Sequence, residues 1–382
     1  MSKPKILYLL HSYFTQGGTE LHTRDLALGL DDVFETYVVY PKPGHVVLVR
    51  NDRPIATYPS DVPWSPFSPV STTLTDKTLT TLLRTIEPDV IHIHHIMYWP
   101  LSIIDRLTAH GCPVIMTFHD YFVITPLPTL QFGEVEETLT REYSERVFQR
   151  DHSSYLLDRR HRLSDSLAAL SLRIAPSSFA AQEIRKAFPL DFRVVQHGIH
   201  PFEVTRHCPS ESVRFAFLGN LIPQKGWELL LRAFPEVRAR HPSAELHIFG
   251  WSPQPVRAGV PGVFVHGPYK REALADIFSA VDVGIIPSVF KETFGYVLSE
   301  MWHASLPVAV ANIGALGERV TDGANGKTFA PSSIEAIRNA MYWFLENDGW
   351  KSWILPKPRL VSDMLAEYER IYRDLVDGTI RS

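Results

Sequence analysis

Cysteine, long apolar runs and excess charge of one sign are all scarce in this sequence, and each shortage excludes something. Its two cysteines, Cys112 and Cys208, lie far apart without metal-ligand spacing, which argues against a disulfide framework or a thiolate metal site and for a reduced, cytoplasmic protein. The first residues, MSKPKILYLL, lack the apolar stretch and cleavage site of a secretory signal. No segment approaches the roughly 18 continuous apolar residues needed to span a bilayer, although peripheral membrane attachment stays open. A net charge of −4 and a pI near 6.5 give nucleic-acid binding no electrostatic support. There is no internal repeat, low-complexity tract, P-loop, complete GxGxxG fingerprint or Asp-x-Asp metal motif in a plausible site, so ATPase and dinucleotide readings lack their signature.

What is present is enough apolar material for two cores: 382 residues, 45% of them hydrophobic. Short apolar runs alternate with amphipathic stretches from end to end, the pattern of parallel sheets covered by helices. One series of strands is expected at 6–10, 36–40, 90–93, 114–118, 172–175 and 194–196, and a second at 214–218, 245–249, 263–266, 283–286 and 307–311. Between them His200 to Ser212, rich in proline and polar residues, reads as a linker. Near the C-terminus Met364, Tyr368, Ile371, Tyr372 and Leu375 fall on one helical stripe that needs a partner surface.

The stretch Pro287 to Glu318 organises the rest. A buried strand, Val283 to Ile286, is ended by Pro287-Ser288, and a helix is expected from about Gly295 with Leu298, Met301 and Trp302 facing inward. Glu292 then lies in the loop before this helix and Glu300 inside it, so that both carboxylates look toward one crevice at the carboxyl end of the strand. Two acceptors for hydroxyls beside a helix start that favours phosphate suit a sugar nucleotide. Alone, such a pair would read as a solvated helix face. The strand, the Phe294-Gly295 step, the later strand and the Gly314/Gly317 turn, all in order, favour a site.

This stretch resembles the donor-site signature of the family 4 retaining glycosyltransferases of the GT-B fold. The resemblance implies two doubly wound parallel-sheet, Rossmann-like domains facing a central cleft: residues 1–205 on the acceptor side, residues 206–360 for the donor, and a last helix, 361–382, crossing back onto the first domain. It places the donor sugar on Glu292 and the ribose on Glu300, with Thr293, Phe294, Gly295 and Tyr296 around them.

In the first domain the strand ending at Leu10 leads to Gly17-Gly18 and a helix. Paired glycines there let a backbone approach a ligand and aim N–H groups at it. An ordinary turn with Thr19 as helix cap is the plainer alternative. The resemblance sets this loop beside the donor diphosphate and sugar. In Ile91-His92-Ile93-His94-His95, alternation puts His92 and His94 on one face of a strand. A zinc site would want a third ligand that the sequence does not announce, so no metal is expected. His119-Asp120-Tyr121 closes another strand and resembles the segment whose histidine sits close to the reacting sugar. Between Arg141 and Leu170 the chain turns into polar helix, where Arg146, Arg150, Arg159, Arg160 and Arg162 alternate with acidic residues as on a solvated face. That face is also a place where an acceptor or partner could dock. The family more often has Asn where His197 stands.

In the second domain Lys225, at a strand-to-helix turn, is placed to meet a diphosphate and stabilise the leaving charge; a plain surface lysine is the alternative. The family usually has arginine where this chain has Asn220, and glycine where it has Ser305. The resemblance as a whole implies transfer of a sugar from a nucleoside diphosphate to an acceptor hydroxyl on a carbohydrate, lipid-linked or other molecule, with retention and without a cofactor. His119, Glu292 and Lys225 would carry the chemistry, and Gly17, Gly18, Asn220 and Glu300 would complete the donor site. A GT-B phosphorylase, a sugar-nucleotide epimerase and a catalytically silent binding or scaffold protein are the competing readings. The nucleotide, sugar, acceptor and oligomeric state are not legible.

Overall fold

The computed structural model describes residues 3–130, 135–204, 213–256 and 259–379. The chain divides into two compact units, Met1–His197 with Val361–Ser382, and Gly198–Leu360.

The first unit is built on one eight-stranded sheet: β1 (Lys5–Leu9), β2 (Glu35–Lys42), β3 (His45–Arg50), β4 (Arg53–Pro59), β5 (Val90–Ile93), β6 (Val114–Thr117), β7 (Leu172–Ala175) and β8 (Arg193–Val194). Their order is β4-β3-β2-β1-β5-β6-β7-β8. From β2 through β1 to β8 the pairing is parallel, and every residue of β5 and β6 is buried, as apolar runs covered on both faces should be. The sequence reading missed β3 and β4, which add an antiparallel meander, so this sheet is mixed rather than wholly parallel. Gly44, at φ 78°, makes the first turn of that meander.

The second unit holds a six-stranded parallel sheet: β9 (Arg214–Leu218), β10 (Glu245–Phe249), β11 (Val263–Gly267), β12 (Val283–Ile286), β13 (Val308–Ala311) and β14 (Lys327–Phe329), in the order β11-β10-β9-β12-β13-β14. The edge strand β14 is a further one that periodicity did not reveal.

The stretch expected to be a linker starts inside this second unit. Ile199 bridges to Leu360, with its N–H on the Arg359 carbonyl at 3.0 Å, and the Phe202 backbone meets His303 Nε2 at 3.1 Å. Residues 205–212, with the expected boundary at 205/206, lie outside the described residues.

The terminal helix Val361–Val376 belongs to the first unit. Its predicted stripe of Met364, Tyr368, Ile371, Tyr372 and Leu375 is wholly buried in a core shared with Ile6, Tyr8, Leu26 and Phe34. Polar contacts add register to this apolar face. Tyr372 Oη lies 2.7 Å from His92 Nδ1, Tyr368 Oη lies 3.2 Å from Thr117 Oγ1, and that hydroxyl lies 2.8 Å from His92 Nε2.

Candidate active site

In the second unit the site grows out of two loops at the carboxyl ends of neighbouring strands, β9 and β12, where a parallel α/β sheet leaves a crevice for ligands. The loop after β9 turns at Gly226, φ 70°, against the Pro287 carbonyl with no room for a Cβ. The Val289 N–H then bonds the Gln224 carbonyl at 2.9 Å. This stitching delivers Lys225 to Glu292: Nζ lies 2.7 Å from Oε1, which also accepts from Ser288 Oγ at 2.7 Å. Glu292 is buried while Lys225 is part-exposed, its ammonium 5.0 Å above the Phe290 ring. The Glu292 backbone is pinned in turn, since its carbonyl accepts from the Ala315 N–H at 2.8 Å and Gly314, φ 63°, packs against it.

Glu300 has a different setting. It lies within the helix Tyr296–His303, is buried, and has Arg271 Nη2 at 3.5 Å as its cationic neighbour. Burial raises its pKa, with Arg271 pulling the other way. Gly295, at φ 78°, is the cap residue of this helix and offers no side-chain cap, and a helix start is the end that favours anions. Leu298, Met301 and Trp302 are buried as the spacing predicts.

The sequence reading did not foresee Arg319. Its Nη1 donates to the Phe294 carbonyl at 2.9 Å and its Nη2 to Ser299 Oγ at 2.7 Å, with the guanidinium 4.5 Å from the Phe294 ring. Phe294 itself is 4% exposed. Its side chain is therefore part of the support of the loop, while Thr293 and Tyr296 are half-buried and closer to solvent. Asn220 is exposed after Gly219, and Ser305 takes a positive φ of 53°, which accounts for a preference for glycine there.

In the first unit the Gly17-Gly18 loop is closed by another residue not singled out by sequence, Glu20. Its Oε1 accepts from Thr15 Oγ1 at 2.7 Å and lies 3.3 Å from His11 Nε2. Burial opposes ionisation of Glu20, but these contacts outweigh it and its pKa is lowered. A Cβ on Gly17 would collide with the Glu20 carboxylate, which is the local reason for glycine. Gly17, rather than Thr19, is the cap residue, and the helix runs Gly18–Gly29.

Beside this loop the carboxyl ends of β5 and β6 bring histidines together. His119 is 8% exposed, with Nε2 2.9 Å from His94 Nδ1. His22 from the helix Gly18–Gly29 and His197 from the end of the unit pack on it, with ring centroids 4.9 and 5.1 Å away. His95 pairs with Asp120 at 3.0 Å. Burial drives the pKa values of His94 and His119 well down, so both are neutral imidazoles at pH 7. A small pocket lined by His94, His95, His119, Asp120 and Phe122 opens here. His92 does not join this group, because both of its nitrogens are engaged by Tyr372 and Thr117.

The polar helical region is two helices, Arg141–Phe148 and Ser153–Ala168. Its expected solvated arginines include one that is nothing of the kind. Arg159 is 1% exposed; Nη1 donates to the Val123 carbonyl at 2.7 Å and Nη2 to that of Phe122, and burial lowers its pKa to about 10. It clamps the segment that follows His119-Asp120. Periodicity could not show this, because the packing partner comes from a distant loop.

Two α/β units, one on a mostly parallel sheet and one on a wholly parallel sheet, with loops at the carboxyl ends of their strands have the architecture of the GT-B fold. Residues 16–201 match the family model described as Glycosyltransferase Family 4, and residues 212–347 match that of Glycosyl transferases group 1. The chain belongs to this glycosyltransferase family. It is 26% identical over 279 residues to a glycogen synthase of Mycobacterium tuberculosis, covering 69% of this chain and 62% of that protein, so it spans under two thirds of that relative's length. It is 26% identical over 352 residues to a phosphatidyl-myo-inositol mannosyltransferase of Mycolicibacterium smegmatis, covering 88% of this chain and 83% of that one. Among solved structures, Anabaena HepE in complex with UDP and glucose superposes with a TM-score of 0.65 at 16% identity, over 97% of this chain and all of the other.

Proposed function

We propose that this protein transfers a glycosyl group from a nucleoside diphosphate sugar to an acceptor hydroxyl, with retention of configuration, and that it does so without a metal ion. The observation that carries the reading is the Lys225–Glu292 pair at 2.7 Å, held at the carboxyl ends of adjacent strands beside a helix N-terminus, with Glu300 on that same helix. UDP bound to HepE and the sugar-transfer names of the relatives support the donor class.

In the ligand-free chain Glu292 satisfies the Lys225 ammonium. A donor diphosphate arriving at the helix start takes that ammonium as its counter-ion. The Glu292 carboxylate is then left to accept from sugar hydroxyls, and Glu300 to accept from the ribose. During transfer the bond from the anomeric carbon to the diphosphate oxygen breaks, the electron pair leaves with the phosphate, and the acceptor oxygen bonds the same carbon while its proton passes to the departing phosphate oxygen. The developing phosphate charge is met by Lys225 and the start of the helix Tyr296–His303, a preorganised electrostatic contribution. For the first unit the resemblance assigns His119 to the sugar and the Gly17-Gly18 loop to the diphosphate. A carbohydrate or lipid-linked acceptor fits the names of the relatives. No described helix is long and apolar enough to cross a membrane, and the reading places the protein in the cytoplasm, with peripheral membrane association where the acceptor is a lipid.

A panel of nucleotide sugars tests this. A ligand at about 100 times its dissociation constant adds about 2.7 kcal/mol of stability, and the stabilising donor is then offered with acceptor alcohols and the product anomer read by NMR. Product formed only with acceptor present, with the donor's anomeric configuration, supports transfer. Acceptor-independent conversion points to an epimerase, and phosphate-dependent cleavage to a phosphorylase. Activity is expected to survive a chelator; complete loss restored by a divalent ion overturns the metal-free reading.

A further inference from the structure

We propose that His22, His94 and His119 form a binding site for one divalent transition-metal ion of the zinc class, a site that glycosyl transfer neither requires nor supplies. One donor nitrogen from each of the three rings lies within 4.8 Å of the others. The ring centroids make a nearly equilateral triangle, 5.5 Å from His22 to His94, 4.9 Å from His22 to His119 and 5.2 Å from His94 to His119. Tetrahedral coordination at about 2.0–2.1 Å per bond sets ligand nitrogens about 3.4 Å apart, a contraction that imidazole rotations about χ1 and χ2 supply.

The three rings come from three separate elements: the helix Gly18–Gly29, the end of β5 and the loop after β6. Only the tertiary structure brings them together. All three rings are buried in one cluster, packed ring against ring. His94 Nε2 is buried without a hydrogen-bond partner, a costly state for a polar atom that a bound ion relieves. His92, the other ring on that strand face, is excluded because both of its nitrogens are already bonded.

An imidazole set favours zinc, copper, nickel or cobalt over magnesium or calcium, which require oxygen ligands. A three-histidine site takes a water in its fourth position, and a small pocket lined by His94 and His119 adjoins the group. An ion here occupies His119, so it competes with the sugar contact of that ring and inhibits transfer.

The test reads metal, not turnover. The full chain is stripped with chelator, dialysed against Zn2+ for elemental analysis and against Co2+ for visible spectroscopy, as wild type, His22→Ala, His94→Gln and a control. The control, His247→Ala with His266→Ala, removes the imidazole pair at 3.0 Å in the second unit. The expected result is one equivalent of ion and the intense bands of four-coordinate cobalt in wild type and control, with affinity lowered about tenfold or more in each of the other two variants. No uptake by wild type, a weak six-coordinate cobalt spectrum, uptake unchanged in His22→Ala and His94→Gln, or uptake lost in the control overturns the proposal. Should either variant fail to fold, the wild-type cobalt spectrum and the control still decide it.

Discussion

Glu292 and Glu300 are both buried carboxylates, but the residues around them give them different work. Glu292 shares its Oε1 between Lys225 and Ser288, whereas Glu300 has Arg271 at a longer 3.5 Å. Glu300→Ala is therefore expected to weaken binding of the free nucleotide by about 1.5–3 kcal/mol, the worth of a charge-assisted hydrogen bond. Glu292→Gln is expected to lower turnover by about 100-fold while changing nucleotide affinity less. Titration calorimetry with the nucleoside diphosphate, beside single-turnover rates, separates the two; equal nucleotide affinities in both variants defeat the assignment. Asn220 is exposed and offers neutral donors where the resembled signature has a guanidinium. Asn220→Arg is expected to add about 1–3 kcal/mol to donor affinity or to stabilisation of the leaving diphosphate. A loss in both, with the fold intact, means that the amide makes a contact of its own.

At the scale of elements, the loops that carry the site are held by two arginines, Arg159 buried and Arg319 half-buried. Arg159 on the helix Ser153–Ala168 binds the Phe122 and Val123 carbonyls, and Arg319 binds those of Phe294 and Gly295. Removing Arg159 leaves two carbonyls without their donor, so Arg159→Met is expected to cost about 2–5 kcal/mol in urea unfolding, with Arg159→Lys recovering only part because it lacks the planar fork. A cost below about 1 kcal/mol, typical of exposed pairs, would mean that the clamp is not formed in solution.

For the whole molecule the histidine cluster sets the response to acid. Burial lowers the pKa of His92 to about 3 and those of His94 and His119 well below 6.5. Below the ordinary histidine value the unfolded chain therefore binds protons that the folded chain refuses. Stability is full above about pH 6.5 and is lost as pH falls, with a slope of roughly 1.4 kcal/mol per pH unit for each of these rings. Urea midpoints between pH 7 and 5 read this directly. A flat profile would show that the rings are solvated, and His92→Phe, which removes one titrating ring, should flatten the slope by about a third.

The sequence by itself determined the alternation of strands and helices, the buried stripe of the last helix and the order of Lys225, Glu292 and Glu300, because periodicity and turn residues are local properties. The strands β5, β7, β9, β10 and β12 fall where their apolar runs place them. The edge strands β4 and β14 were hidden because they lack a clean apolar run, whereas β3, HVVLVR, lies inside the sheet with its four apolar residues buried and was legible but missed. Only the tertiary structure decided that Arg159 and Arg319 clamp loop carbonyls, that Glu20 rather than a cap hydroxyl closes the Gly17-Gly18 loop, and that His92 bonds Tyr372 while His22 and His197 gather on His119. The arginine and histidine contacts depend on partners distant in sequence, and Glu20 on a loop folded back over Thr15 and His11, so the burial that gives each polar side chain its role exists only once the chain has folded.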